Sequence, residues 1–302
     1  MNNKRRLFST LLCVAALTAG LFVSGCGSDK AGGIGSVVSS VVDGGSDEKA
    51  AAKLNTLIDA TNRFNGDNAT WGQNYADSLA KLKGGFQEGA IGRQPHYDTL
   101  KEALEQSKKE GSTFKEVDTE RDNVLNVLNE LVPTFKDLKA YDDSKAYMND
   151  GGAKGKELAA KYVAQVEKFD AAYAKFNDAL NKANTEQTKK QIEKLKKDGK
   201  KGYAAAMEST LRLTNLVENV EKAPKNADKQ AVEKELNEIQ TLLKSINNDR
   251  GEVLVNSYNS VVGSVRQVLT DANENNLNDM IENFNNYIES YNNTTPDQFD
   301  SK

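Results

Sequence analysis

Several groups of residues have the types and spacing to do chemistry. Cys26 closes the tetrad Val23-Ser24-Gly25-Cys26, where a thiol can be alkylated and the small side chains before it leave the peptide bond open to a peptidase. Asp271, Asn273, Asn275, Asp279 and Glu282 follow the one-three-five-nine-twelve spacing with which oxygen ligands wrap a calcium ion. Two departures weigh against it. Asn276 stands where the sharp turn wants glycine, although Asn tolerates a left-handed backbone, and Asn278 replaces the usual apolar residue. An Asn-rich turn between helices accounts for the same letters. Gly151-Gly152-Ala153-Lys154-Gly155-Lys156 has the look of a phosphate loop, but Gly151 and Gly155 are one residue too close. Glu157 also stands where Ser or Thr would hold magnesium, and no strand pattern precedes the run. A glycine turn opening a helix is the better reading.

The chain has one histidine, His96, after Pro95. Zinc needs further His or Cys ligands that the chain does not supply, so His96 is expected as a solvent-facing loop residue. HExxH and GxSxG patterns are absent from the sequence. No catalytic, metal or cofactor residues are therefore assigned, and an enzyme is not expected. Lys189, Lys190, Lys194, Lys196, Lys197, Lys200 and Lys201 form a basic cluster interleaved with Glu186, Glu193 and Asp198. It reads as a solvated helix tip; the sharper reading is contact with anionic headgroups or wall polymers. Trp71, Tyr75, Tyr162, Tyr173 and Phe176 recur at helical spacing and are expected in the core rather than in a ligand box.

The segment that positions Cys26 is an export signal. Lys4, Arg5 and Arg6 precede an apolar run from Leu7 to Val23, interrupted by Ser9, Thr10 and Thr18. The whole of residues 1–26 resembles the signal and lipobox of bacterial lipoproteins. The resemblance implies that residues 1–25 are a cleaved signal peptide and that Cys26 carries diacylglycerol. Acyl chains contribute about 0.8 kcal/mol per buried methylene, so several chains on one cysteine detach slowly from a bilayer. Gly27, rather than Asp, follows the cysteine, which resembles the class sent to the outer membrane when a host has two. Residues 26–46 are rich in Gly and Ser and are expected to be a flexible tether with an r.m.s. span of about 25 Å.

The total charge is −4, and loss of the three signal-peptide cations makes it −7. An acidic body argues against nucleic acid as a partner. The only cysteines are Cys13, within the signal, and Cys26, so no disulfide can staple the body and packing must hold it together. From Asp47 onward apolar residues recur at three and four: Leu54, Ile58, Thr61 and Phe64; Val124, Leu128, Leu131, Phe135 and Leu138; Leu158 to Leu180 and on to Leu195. Further stripes run through Tyr203 to Val217, Val232 to Ile246, Val255 to Leu269 and Leu277 to Tyr291. Pro133 is expected to kink the second of these, and Asn226 or Asp228 to cap the helix after Pro224. One-sided stripes need neighbours, and long helices with short loops predict an all-α fold, an elongated antiparallel helical bundle. One helical domain over 47–293 and a disordered tail at 294–302 are expected, with two subdomains meeting near Gly199 to Tyr203 as the open alternative.

Two stretches carry a family resemblance: LNTLIDATNRFN, from Leu54 to Asn65, and the segment from Lys139 to Leu180. In the second, a turn rich in Tyr, Asp, Gly and Lys enters a long helix bearing phenylalanines. This resembles the YiiG-like bacterial lipoproteins, and the overall plan of lipobox, tether and helical body is similar too. The resemblance implies address and fold and carries over no functional residue. The expectation is a membrane-anchored cell-envelope lipoprotein whose helical module binds or scaffolds without catalysis. Its partners would be the membrane, through the lipid on Cys26, and an envelope protein or wall polymer. The alternative is a small-ligand or metal-ion receptor with a pocket between helices.

Overall fold

A computed structural model describes residues 46–69, 72–92, 94–111 and 114–300. The expected signal peptide, Cys26, the tether up to residue 45 and Trp71 lie outside the described residues. Among the described residues there are eleven helices and no strand. They are α1 (Ser46–Ala69), α2 (Gly72–Lys83), α3 (Tyr97–Lys109), α4 (Lys115–Asp143), α5 (Tyr147–Asp150), α6 (Ala153–Lys197), α7 (Lys201–Lys222), α8 (Lys229–Lys244), α9 (Asp249–Thr270), α10 (Glu274–Asn292) and α11 (Pro296–Asp300). No described helix is long and apolar enough to cross a membrane.

The described chain divides into two compact units, with the boundary between Ala183 and Asn184. The expectation of one domain is thereby refined, and the division does not fall at the glycine turn near residue 199. It falls inside α6. From Lys156 to Lys197 no Gly or Pro interrupts the helix, so the backbone runs on while its packing partners change.

In the first unit α1 packs on α3 and α3 on α4. The apolar stripes of these helices and of the first part of α6 meet in one core that includes Leu57, Ile58, Leu104, Leu128, Tyr162, Val166 and Phe176, each at most 0% exposed. Helix α4 continues through Pro133 instead of stopping there. The missing N–H of Pro133 costs one ladder bond. The following hydroxyl, Thr134 Oγ1, donates to the Glu130 carbonyl at 2.9 Å. Arg121, only 4% exposed, is held by Asp118 at 2.8 Å and Asp122 at 3.1 Å, and Lys108 of α3 reaches the same Asp122 at 2.9 Å.

In the second unit α7, α8, α9 and α10 follow one another through short connections, and each packs on the next or on α7. Short connections between packed helices return the chain alongside itself, giving the antiparallel arrangement. Each start has a visible local cause. Asp228 caps α8 by accepting from Gln230 N at 2.9 Å and Ala231 N at 3.1 Å. Asn248 does the same for α9 with Arg250 N and Gly251 N, both at 3.1 Å. Arg212 of α7 spans Glu235 and Glu238 of α8, and Arg266 of α9 reaches Glu233 of α8 at 2.7 Å.

The end of the chain corrects the sequence expectation. Residues 296–300 are helical rather than disordered, and Phe299 is 2% exposed. Its ring stacks on Tyr203 at 5.9 Å and on Tyr291 at 6.0 Å. The Asp300 carboxylate accepts from Gly202 N at 2.6 Å and Tyr203 N at 3.4 Å, which satisfies the first turn of α7 from 98 residues away. A side chain on residue 202 would collide with the Phe299 carbonyl, so Gly202 permits this approach. Asn248 Nδ2 ties the segment down further, donating to the carbonyls of Gln298 at 3.1 Å and Phe299 at 3.0 Å. Low apolar content in a terminal stretch suggests disorder, but one phenylalanine and one carboxylate suffice here because their receptors are pre-formed. Phe299→Ala is expected to lower stability by about 3 kcal/mol, and Asp300→Ala by about 1 kcal/mol, in denaturant unfolding followed by circular dichroism.

Candidate functional site

The first unit carries a groove of about 410 Å³ beside the loop that leads into α3. It is lined by the apolar Ile91, Pro95, Val132 and Phe135 and by the polar Gln94, His96, Asp98, Thr99 and Lys139. The loop is shaped by short-range chemistry. Pro95 accepts from Tyr97 N at 2.8 Å, and the His96 carbonyl accepts from Leu100 N at 3.1 Å to open the helix. Gly92 lies against Ser78 where a Cβ would not fit. His96 is exposed, as its loop position implied, and it does sit at the groove. Lys139 is held by both oxygens of Asp143 at 2.8 and 2.9 Å, and Lys136 faces Asp98 at 3.6 Å.

Behind the groove is a layer of buried tyrosines. Tyr162 donates to Gln94 Oε1, and its ring lies 5.6 Å from Phe135. The hydroxyls of Tyr75 and Tyr97 are 2.9 Å apart, and Tyr173 donates to Asn65 Oδ1 at 2.9 Å. Phe64, Tyr97, Phe169 and Tyr173 form an aromatic cluster with ring centroids 4.9 to 5.9 Å apart. Burial drives all four phenols well above their ordinary pKa, so they act as hydrogen-bonding groups and not as acids or bases. Tyr75, Tyr162, Tyr173 and Phe176 are thus core residues, as their spacing implied.

Two carboxylates, each with a second acid three residues before it on the same helix face, are perturbed. Burial pushes Asp170 of α6 up from 3.8 to about 6; Lys83 opposes the shift and Glu167 adds to it. Burial also pushes Glu221 of α7 up to about 7, with Glu218 adding and Lys222 opposing. A paired carboxylate in a cleft would suit acid–base catalysis, but neither pair is among the residues lining the groove beside His96. A second groove of about 270 Å³ lies between the end of α8 and the start of α9, lined by Ile246, Asn248, Glu252 and Asn256 among others.

The remaining motifs resolve into helix ends. At residues 151–156 the anion position is already filled: Asp150 Oδ1 accepts from Gly152 N at 2.9 Å and Oδ2 from Lys154 N at 3.1 Å, while Tyr141 donates to Oδ1 at 2.5 Å. Gly151 and Gly152 have φ of +64° and +83°, and a Cβ on Gly155 would meet Phe86 and Tyr141 at 2.6 Å. These glycines make a tight, aromatic-lined turn and not a phosphate cradle. At residues 271–282 the helix begins at Glu274, so Asn275, Asp279 and Glu282 are strung one above another along a helix face instead of lying on a loop that could wrap an ion. Asn273 is spent as the cap, accepting from Asn276 N at 2.9 Å, and its amide donates to Asp271 Oδ2 at 2.7 Å. Among the described residues no group of three His, Cys, Asp or Glu is placed to hold a metal ion.

Sequence reasoning found His96 and the aromatic stripe but not the groove, which is built by Val132, Phe135 and Lys139 meeting a loop some forty residues earlier. The only local hint was the Gly- and Pro-rich loop itself.

Fold and geometry define an all-α protein of two helical units, each with its own core. A family model described as "Protein of unknown function (DUF3829)" matches residues 48–301, and the chain belongs to that family. No curated protein and no solved structure matches it.

The raised Asp170 sets a pH dependence. Its folded carboxyl holds a proton more tightly than the unfolded one, so its own contribution to stability is greatest below about pH 4 and is lost as pH climbs through about 6. Asp170→Asn should therefore stabilise the protein by about 1–2 kcal/mol at pH 7.5 and by almost nothing at pH 4, read from unfolding curves at the two pH values.

Proposed function

We propose that this protein is a YiiG-like lipoprotein of the bacterial cell envelope, anchored by lipid on Cys26, whose helical body binds or scaffolds without catalysing a reaction. The observation that carries the reading is the tetrad Val23-Ser24-Gly25-Cys26 closing an apolar, export-type segment. Three further observations support it. The stretch between Cys26 and the first described helix is Gly- and Ser-rich, as a spacer would be. The body contains no cysteine and is assembled from packed helices, which suits a chain that must hold together outside the cytoplasm without a disulfide. Within the first unit, the perturbed Asp170 is not among the residues lining the groove beside His96. The location follows from the anchor: the outer face of the cell membrane, or the periplasmic side of the outer membrane in a host with two. Partners are the bilayer and an envelope protein or wall polymer.

The groove beside His96 favours a second reading, a receptor for a small amphipathic molecule. Its volume of about 410 Å³ falls in the range of ligand pockets, and its lining combines the apolar Phe135 with polar groups at His96 and Lys139.

Intact-mass analysis of the protein from envelopes is expected to show a chain beginning at a lipid-modified Cys26, and Cys26→Ala is expected to release the body into the soluble envelope fraction. An unmodified residue 26, or a chain still beginning at Met1, would remove the anchored reading. For the receptor reading, thermal-shift screening with small aromatic acids should give hits that vanish in Lys139→Ala and persist in Lys175→Ala.

A further inference from the structure

The turn between α6 and α7, in the second unit, concentrates positive charge. Residues 186–201 hold seven lysines against Glu186, Glu193 and Asp198, a local charge of +4 in a chain whose total is −4. Lys190, Lys194 and Lys197 follow one another at four and three, which aligns them on one exposed face of α6, while Thr188 and Ile192 on the other side are buried. Lys189 and Lys201 are exposed as well, and none of these five is in an ion pair among the described residues. Lys196 is different: it turns back to Glu208 of α7 at 2.8 Å and holds the hairpin together.

Helix stability explains only part of this pattern. Lys194 and Lys197 sit in the last turn of α6, where cations complement the helix dipole. Lys189 and Lys190 lie some two turns earlier and gain little from it. Lys200 and Lys201 stand at the start of α7, where the same dipole disfavours a cation. Asp300 caps the first-turn amides of α7, and Lys200 itself pairs with Asp297 at 3.8 Å, 93% exposed, a pair that solvent screens heavily. The turn itself is compact. Gly199 at φ +80° closes α6, and Lys200 N donates to the Leu195 carbonyl at 2.9 Å, so the lysines on both sides are presented from a fixed apex.

We propose that this apex is a docking surface for anionic phospholipid headgroups. The inference rests on the lipid-anchored reading, since an anchor at Cys26 holds the body close to a bilayer and raises the effective concentration of headgroups. Lysine ammoniums spread over two helix ends suit a fluid array of phosphates: each is a point charge on a flexible stem and needs no fixed partner geometry.

The test is amine footprinting of the full lipidated chain, reconstituted in vesicles and read lysine by lysine by mass spectrometry. Phosphatidylcholine vesicles are compared with vesicles carrying roughly a third phosphatidylglycerol. Lys190, Lys194, Lys197 and Lys201 are expected to lose reactivity by about three-fold or more on the anionic vesicles and to regain it in about 0.5 M salt. Lys161 and Lys175 of the first unit are expected to react equally on both. Equal reactivity of the apex lysines on the two vesicle types would overturn the proposal, and so would protection by soluble polyphosphate alone, which would assign the apex to a wall polymer. Failure of the anchor is read separately, as a protein that does not float with neutral vesicles. In that case flotation with anionic vesicles that is lost in the K190Q/K194Q/K197Q/K201Q variant still supports the apex, and absence of flotation with either vesicle overturns it.

Discussion

The phenol hydroxyl is the group around which both cores are organised. Nine of the ten tyrosines are buried, Tyr147 being the exception, and no cysteine in the body can form a staple. Each buried ring contributes a large apolar surface, but its oxygen must keep a hydrogen-bond partner or forfeit a good part of that gain. The Tyr291 hydroxyl is buried without one; the partners found belong to other elements. Tyr75 meets Tyr97, Tyr162 meets Gln94, Tyr173 meets Asn65 and Tyr287 meets Thr210, the last at 3.0 Å. Tyr258 of α9 donates to the backbone carbonyl of Leu236 on α8 at 2.5 Å. Apolar stripes alone would allow helices to slide or rotate against one another; an oxygen that has one acceptor within reach does not. Tyrosine therefore supplies the register that a disulfide could otherwise supply.

That constraint also shapes the surface. The loop from Ile91 to Thr99 is held from beneath by Tyr162 on Gln94 and by Tyr75 on Tyr97, so the groove beside His96 has a firm floor even though its walls are a loop. The aromatic turn at Gly151–Gly155 works in a similar way: Phe86 and Tyr141 pack where Gly155 lacks a side chain, and Asp150 supplies the anion that the new helix end attracts. The glycine turn at 151–155 is thus an architectural joint.

Helix positions were legible in the sequence to within a few residues, because one-sided stripes at three and four have a single local solution. Tyr97–Lys109 follows the stripe between Pro95 and the next glycine, and Asp228 caps α8 where a capping residue followed Pro224. The calcium-like spacing at 271–282 and the glycine run at 151–156 were legible too, together with the departures that weakened each. What could not be read was any contact between residues far apart in the chain. Asp300 capping α7 at Gly202 and Phe299 filling the space between Tyr203 and Tyr291 leave no periodic trace, because one residue has no period.

The sequence by itself determined the helices, their buried faces, the cap residues and the apolar segment ending at Cys26, since each depends on neighbours within a few positions. The tertiary structure alone decided where α6 passes from one core to the other, which acceptor each tyrosine finds, and that a groove opens between α4 and the loop before α3. Those depend on the relative placement of surfaces, which chain-local forces leave free and only the simultaneous packing of all the helices in a unit fixes.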